Sequence, residues 1–323
     1  MVSIYVDLLR VVLCVVRSVT RYMKLLITGS SGQLGNELQR CLSEMEAEIA
    51  PIPSEYKNAQ VDAVDADELD IADIDAVNDW FKQNGPYNIV INCAAMTNVD
   101  GCEAAEEEAM LVNGQGPANL AIVCEKQNAK LVQVSTDYVF SGNEKGERIE
   151  SDTVAPLSAY GRSKLEGECR VAELCHKYFI VRTAWLYGYV GHNFVKTMLQ
   201  LGKNHSQITV VNDQFGNPTS ANDLAYEILK IALTENYGIY HCTNEGTCSW
   251  CDFATAIMRG ANLSCEVIPV TSQQYKESNP SSADRPAFSS LKNAHLEQTI
   301  GNEMRTWQDA LKSYLKNLPE LKG

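Results

Sequence analysis

The sequence predicts an α/β protein, a doubly wound parallel sheet followed by a smaller C-terminal lobe. Three observations carry this. Short apolar runs alternate with amphipathic stretches up to about residue 185, a glycine-rich turn follows the first run directly, and after residue 186 the rhythm changes. Strands alternating with helices are the signature of a parallel sheet covered on both faces.

Lys24-Leu-Leu-Ile-Thr28 is a short apolar run stopping at Gly29, as expected of a buried parallel strand. Leu34–Leu42 carries apolar residues at helical spacing, and residues 74–84 form a second amphipathic helix ended by Gly85-Pro86. Residues 88–95 read as a strand, 104–127 as one long helix, 130–135 as a strand, 158–176 as a helix and 178–184 as a strand. Helices are then expected near 192–202, 220–233, 249–260 and 303–317, joined by connections rich in Asn, Ser and Pro. The expected division is 1–22 as an extension outside the fold and 23–185 as the core. Residues 186–323 are mainly a lobe over the carboxyl ends of the strands, where open α/β sheets bind ligands, with some segments returning to the core.

Composition narrows the partners. Lys and Arg number 27 against 41 Asp and Glu, a formal charge of -14. Such a chain repels phosphate backbones and anionic bilayers, so neither nucleic acid nor membrane is an expected partner. The apolar stretch Val11–Val16 is flanked by Asp7, Arg10 and Arg17, and falls far short of the ~20 apolar residues of a membrane span. Met23 reads as the natural start. Eleven cysteines, an odd number scattered through apolar runs, point to buried thiols in a reducing cytoplasm.

Gly29-Ser-Ser-Gly32-Gln-Leu-Gly35 lies between a strand and a helix. Glycines there permit a tight turn and let backbone N–H groups approach a pyrophosphate at the positive end of the helix. The bland alternative is a turn that only packs strand on helix. Further along, Asn92–Thr97 places small residues where a dinucleotide would pass, and Asp70 and Ile71 follow the second strand. That strand shows no convincing acid at its end, whereas Ser54 and Lys57 nearby would tolerate a 2′-phosphate and favour NADPH.

Tyr160 and Lys164 stand at i and i+4, on one face of a helix. A neighbouring ammonium favours the phenolate and moves a phenol toward useful acid–base strength. The pattern is cheap, and Tyr226/Lys230 repeats it in a helix whose periodicity suggests core packing. Position separates them. The first pair follows a strand ending Val134-Ser-Thr-Asp137, with Thr136 placed to bond a carbonyl beside the phenol. His241, Cys242, Cys248 and Cys251 could be written as a zinc site, but a single C-x-x-C with adjacent His and Cys favours buried thiols, and no metal is expected.

Taken in order, Met23–Gly35, Asn92–Asp100, Ser135–Phe140, Pro156–Lys164, Arg182–Trp185, Gly191–Phe194, Asp213–Thr219 and Arg285-Pro286 resemble the dTDP-4-dehydrorhamnose reductase family. These are extended short-chain dehydrogenases with a Rossmann-type sheet, and the match runs over about residues 23–318. The resemblance implies reduction of the C4 ketone of dTDP-4-dehydro-L-rhamnose by NADPH, with NADH as a second candidate. It makes Tyr160 the proton donor, Lys164 the residue that holds cofactor and lowers the phenol pKa, and Thr136 the group that tunes it. Gly29, Gly32, Gln33, Leu34, Gly35, Asp70, Ile71, Ala94, Ala95, Met96 and Val134 would join Tyr160 and Lys164 on the cofactor. Thr136, Asp137, Trp185 and Arg285 would meet the nucleotide sugar. Glu37 aligns with an acid that holds Mg²⁺ at a dimer interface in some members, and a homodimer stays open. The rivals are a sugar-nucleotide epimerase or dehydratase, disfavoured by Tyr138 where a dehydratase has an acid, and an idle binding subunit of the same fold.

Overall fold

A computed structural model describes residues 22–280 and 282–321. The extension expected over residues 1–22 falls outside the described residues except for Tyr22.

Six parallel strands make the central sheet. In chain order the first half runs β1 (Lys24–Thr28), α1 (Gln33–Glu44), β2 (Gln60–Val64), α2 (Ile74–Asn84), β3 (Ile89–Asn92), α3 (Val99–Ala104), α4 (Glu106–Met110), α5 (Gly116–Gln127), β4 (Lys130–Thr136), α6 (Ala159–Leu174) and β5 (Tyr178–Thr183). The second half runs α7 (Phe194–Asn204), β6 (Gln207–Val211), α8 (Ala221–Leu233), β7 (Gly238–His241), α9 (Trp250–Gly260), β8 (Glu266–Val270), α10 (Ser272–Ser278), α11 (Ala294–Thr299) and α12 (Trp307–Asn317). The sheet order is β7-β5-β4-β3-β1-β2. Leu25, Leu26 and Ile27 are fully buried because helices cover both faces, which is why β1 reads as an unbroken apolar run. α1 and α8 pack on one face, whereas α2, α5 and α6 lie on the other.

After β5 the chain builds a second apolar centre from α7, α9, α12 and the parallel pair β6–β8. It returns to the sheet through α8 on the core face, through β7 at the edge beside β5, and through α11, whose Leu296 joins the same core.

Three expectations need correction. The helix expected over 104–127 begins at Val99 under an Asn98 cap, breaks at Ala105 and carries a π turn at Leu111–Gln115. That turn aims Asn113 inward, where its amide bonds both backbone groups of Met96 and the Ser163 hydroxyl. The helix expected from 303 starts at Trp307, where the Thr306 hydroxyl accepts from Asp309 N. The third correction is β2. Its carboxyl end is Val64, followed by Asp65, while Ser54–Tyr56 is a 3-10 turn before the strand's amino end. The strand was hard to read because Asp62 sits within it, satisfied by Lys24 at 3.0 Å and the Tyr87 hydroxyl at 2.6 Å. Ser54 and Lys57 therefore do not stand at the ligand end of the sheet.

Candidate active site

The carboxyl ends of β1, β3, β4 and β5 open into one crevice of about 770 Å³. Its floor is the glycine turn. Gly29 has φ +67°, and a Cβ there would come within 2.6 Å of the Ala94 backbone nitrogen, so only glycine lets β1 and β3 release their loops side by side. Gly32 caps α1 without a side-chain partner, which leaves the N–H groups of the first turn available to an anion. Asp65 closes the far end. Its Oδ2 accepts from Ser30 Oγ at 2.8 Å and Ser31 N at 3.0 Å.

At the other end stands the acid–base group. Ser158 caps α6 and fixes the helix start two residues before Tyr160. One turn later Lys164 is buried, and its Nζ donates to the Val134 carbonyl at 2.7 Å. Burial lowers its pKa to about 8, against the opposing pull of Glu168. Burial likewise pushes the Tyr160 phenol upward, and the neighbouring Thr136 hydroxyl works the other way. In the protein alone the phenol is thus tuned by Thr136, while Lys164 is engaged with a carbonyl. Thr136 Oγ1 also lies 3.0 Å from Asp137 Oδ1 and accepts from Tyr138 N at 3.1 Å. Asp137 is buried, its pKa pushed up to about 7 by desolvation.

Behind this group, Glu168 Oε1 accepts from Ser135 Oγ at 2.5 Å, and its carboxylate is gripped by Arg182 at 2.6 Å, both side chains being 3% exposed. Consecutive residues of β4 are therefore tied to consecutive turns of α6, Val134 to Lys164 and Ser135 to Glu168. This double tie fixes Thr136 opposite Tyr160.

Trp185 borders the crevice past β5 with φ +46°, a strained left-handed conformation for a non-glycine residue. Its indole lies between Gly216 and Trp250.

Most expected residues meet in this crevice: Gly29, Gly32, Gln33, Leu34, Gly35, Asp70, Ile71, Ala94, Ala95, Val134, Thr136, Asp137, Tyr160, Lys164 and Trp185 all line it. Two do not. Met96 packs with Cys102, Ala109 and Ala159 beneath Tyr160, because Asn113 holds its backbone. Arg285 pairs with Asp100 at 3.2 Å, behind Tyr138. The repeated pair goes elsewhere, with the Tyr226 hydroxyl and Lys230 Nζ both ending on Glu303. Glu37 is buried against Arg40 and Asn222. Among the described residues no group of three or more His, Cys, Asp or Glu is placed to hold a metal. Asp65, Asn113, His192 and Trp250 were not foreseen. Asp65 could have been found once the end of β2 was placed, but a π turn and a contact across the lobe leave no local pattern.

The RmlD substrate binding domain profile matches residues 23–319. The chain is 40% identical to a dTDP-4-dehydrorhamnose reductase of Aggregatibacter actinomycetemcomitans, covering 90% of this chain and 97% of that one. A Clostridium acetobutylicum dTDP-4-dehydrorhamnose reductase structure superposes with TM-score 0.84 at 47% identity, covering 91% and 99%. A Bacillus anthracis dTDP-4-dehydrorhamnose reductase, solved with NADP, gives TM-score 0.84 at 38% identity over the same shares.

Proposed function

Since the chain belongs to the RmlD substrate binding domain family, we propose that it is an NADPH-dependent oxidoreductase. It reduces the C4 ketone of dTDP-4-dehydro-L-rhamnose to give dTDP-L-rhamnose. The observation that carries this reading is the convergence of Tyr160, Lys164 and Thr136 at one end of a crevice whose other end is a glycine cradle.

The crevice fits a dinucleotide, because the Gly29 turn admits no side chain and the uncapped first turn of α1 offers N–H groups to the pyrophosphate. When bound, the nicotinamide cofactor supplies the hydride that reduces the ketone carbon. Tyr160 donates the proton to the ketone oxygen, and Thr136 orients that oxygen and the phenol together. Lys164, held at the Val134 carbonyl, is positioned to turn its charge toward the cofactor ribose and the phenol. Trp185 and Asp137 border the sugar, and Arg285 stands one residue behind it through Tyr138. From the second half of the chain, Gly191, His192 and Trp250 border the crevice beside the reacting groups.

Among the described residues no helix is long and apolar enough to cross a membrane. The cytoplasm is the compartment proposed, in keeping with ten described cysteines that are all free.

The test is sugar-dependent loss of reduced-nicotinamide absorbance with purified protein, followed by identification of the product. Formation of dTDP-L-rhamnose supports the reading. Cofactor binding without oxidation would move the protein to another keto sugar or to a binding role.

A further inference from the structure

The hydrogen bonds of Thr136 Oγ1 run to Asp137 Oδ1 at 3.0 Å and from Tyr138 N at 3.1 Å, not to Tyr160. Something else must hold the two hydroxyl residues at a working separation, and Tyr138 touches both. Its N–H is the one bonded to Thr136, and its ring meets the Tyr160 ring edge to face, with centroids 5.7 Å apart and planes at 76°. Its carbonyl lies against Gly161, where a Cβ would come within 2.3 Å of the oxygen. A glycine directly after Tyr160 is therefore what lets α6 close on the turn Asp137–Val139.

We propose that Tyr138 is a positioning residue for the reduction: its N–H fixes Thr136 and its ring fixes the plane of Tyr160, so that both hydroxyls reach one carbonyl oxygen. The inference rests on the ketone-reductase reading above. Tyr138 gives up no proton in the reaction and acts only through Thr136 and Tyr160. Burial pushes its own phenol upward, so it is no competing acid at neutral pH.

The surroundings suit this role. An edge-to-face pair has a preferred geometry, because the positive rim of one ring meets the negative face of the other. Tyr160 also packs on Cys102, Ala109 and Ala159, whose small side chains fill space without setting the plane of the ring. Tyr138 itself is half-buried and borders the crevice beside Thr136 and Tyr160. Tyr226, at the same spacing from a lysine, is seated differently: Lys230 lies over its ring, and its hydroxyl ends on Glu303.

Two measurements test the role. The first is steady-state kinetics of Tyr138→Leu, which leaves the N–H bond to Thr136 in place and removes only the ring. The expected result is a kcat lower by roughly tenfold to 100-fold, the cost of misplacing a reacting group, with KM for the nucleotide sugar and cofactor affinity changed by less than about threefold. Tyr138→Phe, which keeps the ring, restores kcat to within about threefold of the natural protein. A Tyr138→Leu protein with natural kcat overturns the proposal, and one with only a raised KM reduces Tyr138 to a substrate contact and overturns it too. A Tyr138→Phe protein as slow as Tyr138→Leu does the same, because the hydroxyl and not the ring would then be acting. The second measurement needs no variant at position 138 and covers a Tyr138→Leu protein that does not fold. With 3-fluorotyrosine at position 160, a fluorine NOE to the Tyr138 ring protons is expected in the cofactor-free protein, and its absence overturns the proposal. Failure of the natural protein to reduce any ketone is a separate result, which sinks the reductase reading itself and leaves the NOE unchanged.

Discussion

Trp185 lies flat on Trp250, with ring centroids 3.5 Å apart and planes 6° from parallel. On its other side a Cβ at Gly216 would fall 2.5 Å from the Trp185 indole. The ring is thus clamped between a glycine and an aromatic, in a backbone conformation that costs on the order of 1–3 kcal/mol. Gly216→Val displaces the indole and raises KM for the nucleotide sugar by roughly tenfold, while cofactor affinity is unchanged. Trp250→Ala, which removes an aromatic pair worth about 0.5–1.5 kcal/mol, acts in the same direction more weakly. Steady-state kinetics and cofactor titration check both, and unchanged KM values would leave the stack a packing device.

Lys164 makes the pH dependence specific. Its pKa falls from 10.5 to about 8 on folding because burial penalises the ammonium. Between those values the unfolded chain binds the extra proton, so this group makes stability rise with pH over that window, and below it the full penalty is present. Lys164→Met therefore stabilises the cofactor-free protein at neutral pH, and its advantage shrinks as pH climbs from about 8 toward 10.5. The same variant loses turnover by ~100-fold or more. Melting curves at several pH values decide the first point, and a pH-independent difference counts against it.

Breaking the Glu168–Arg182 pair on one side strands a buried charge. Glu168→Gln is expected to cost about 3–5 kcal/mol in denaturant unfolding. Replacing both partners with apolar residues of similar volume costs less than the single change. A double change as harmful as the sum of the two single ones contradicts the coupling.

Asp65 sits where an acid bonds a ribose 2′-hydroxyl and repels a 2′-phosphate. NADH is accordingly expected to support turnover beside NADPH. Asp65→Asn raises the NADPH-to-NADH ratio of kcat/KM on the order of tenfold. A ratio that does not move removes Asp65 from the ribose end of the crevice.

The sequence made the strands legible where burial on both faces left uninterrupted apolar runs, as in Leu25–Ile27 and Leu131–Val132. It concealed β2, because Asp62 interrupts the pattern and is satisfied only by Lys24 and Tyr87, distant in sequence. The glycine turn and the Tyr160/Lys164 spacing were readable because local geometry demands those residues. The pairing of Arg285 with Asp100 could not be read, since the two lie far apart along the chain. The Asn113 turn, the Trp250 stack and the ties from Val134 and Ser135 to α6 are products of tertiary packing and leave no periodic trace.

The most direct test of the central claim compares Tyr160→Phe with Tyr226→Phe in single-turnover reduction of dTDP-4-dehydro-L-rhamnose, with cofactor binding measured alongside. Loss of ~100-fold or more in Tyr160→Phe with cofactor binding intact, and a rate unchanged in Tyr226→Phe, is the predicted result. A Tyr160→Phe protein that turns over at close to the natural rate would contradict the account.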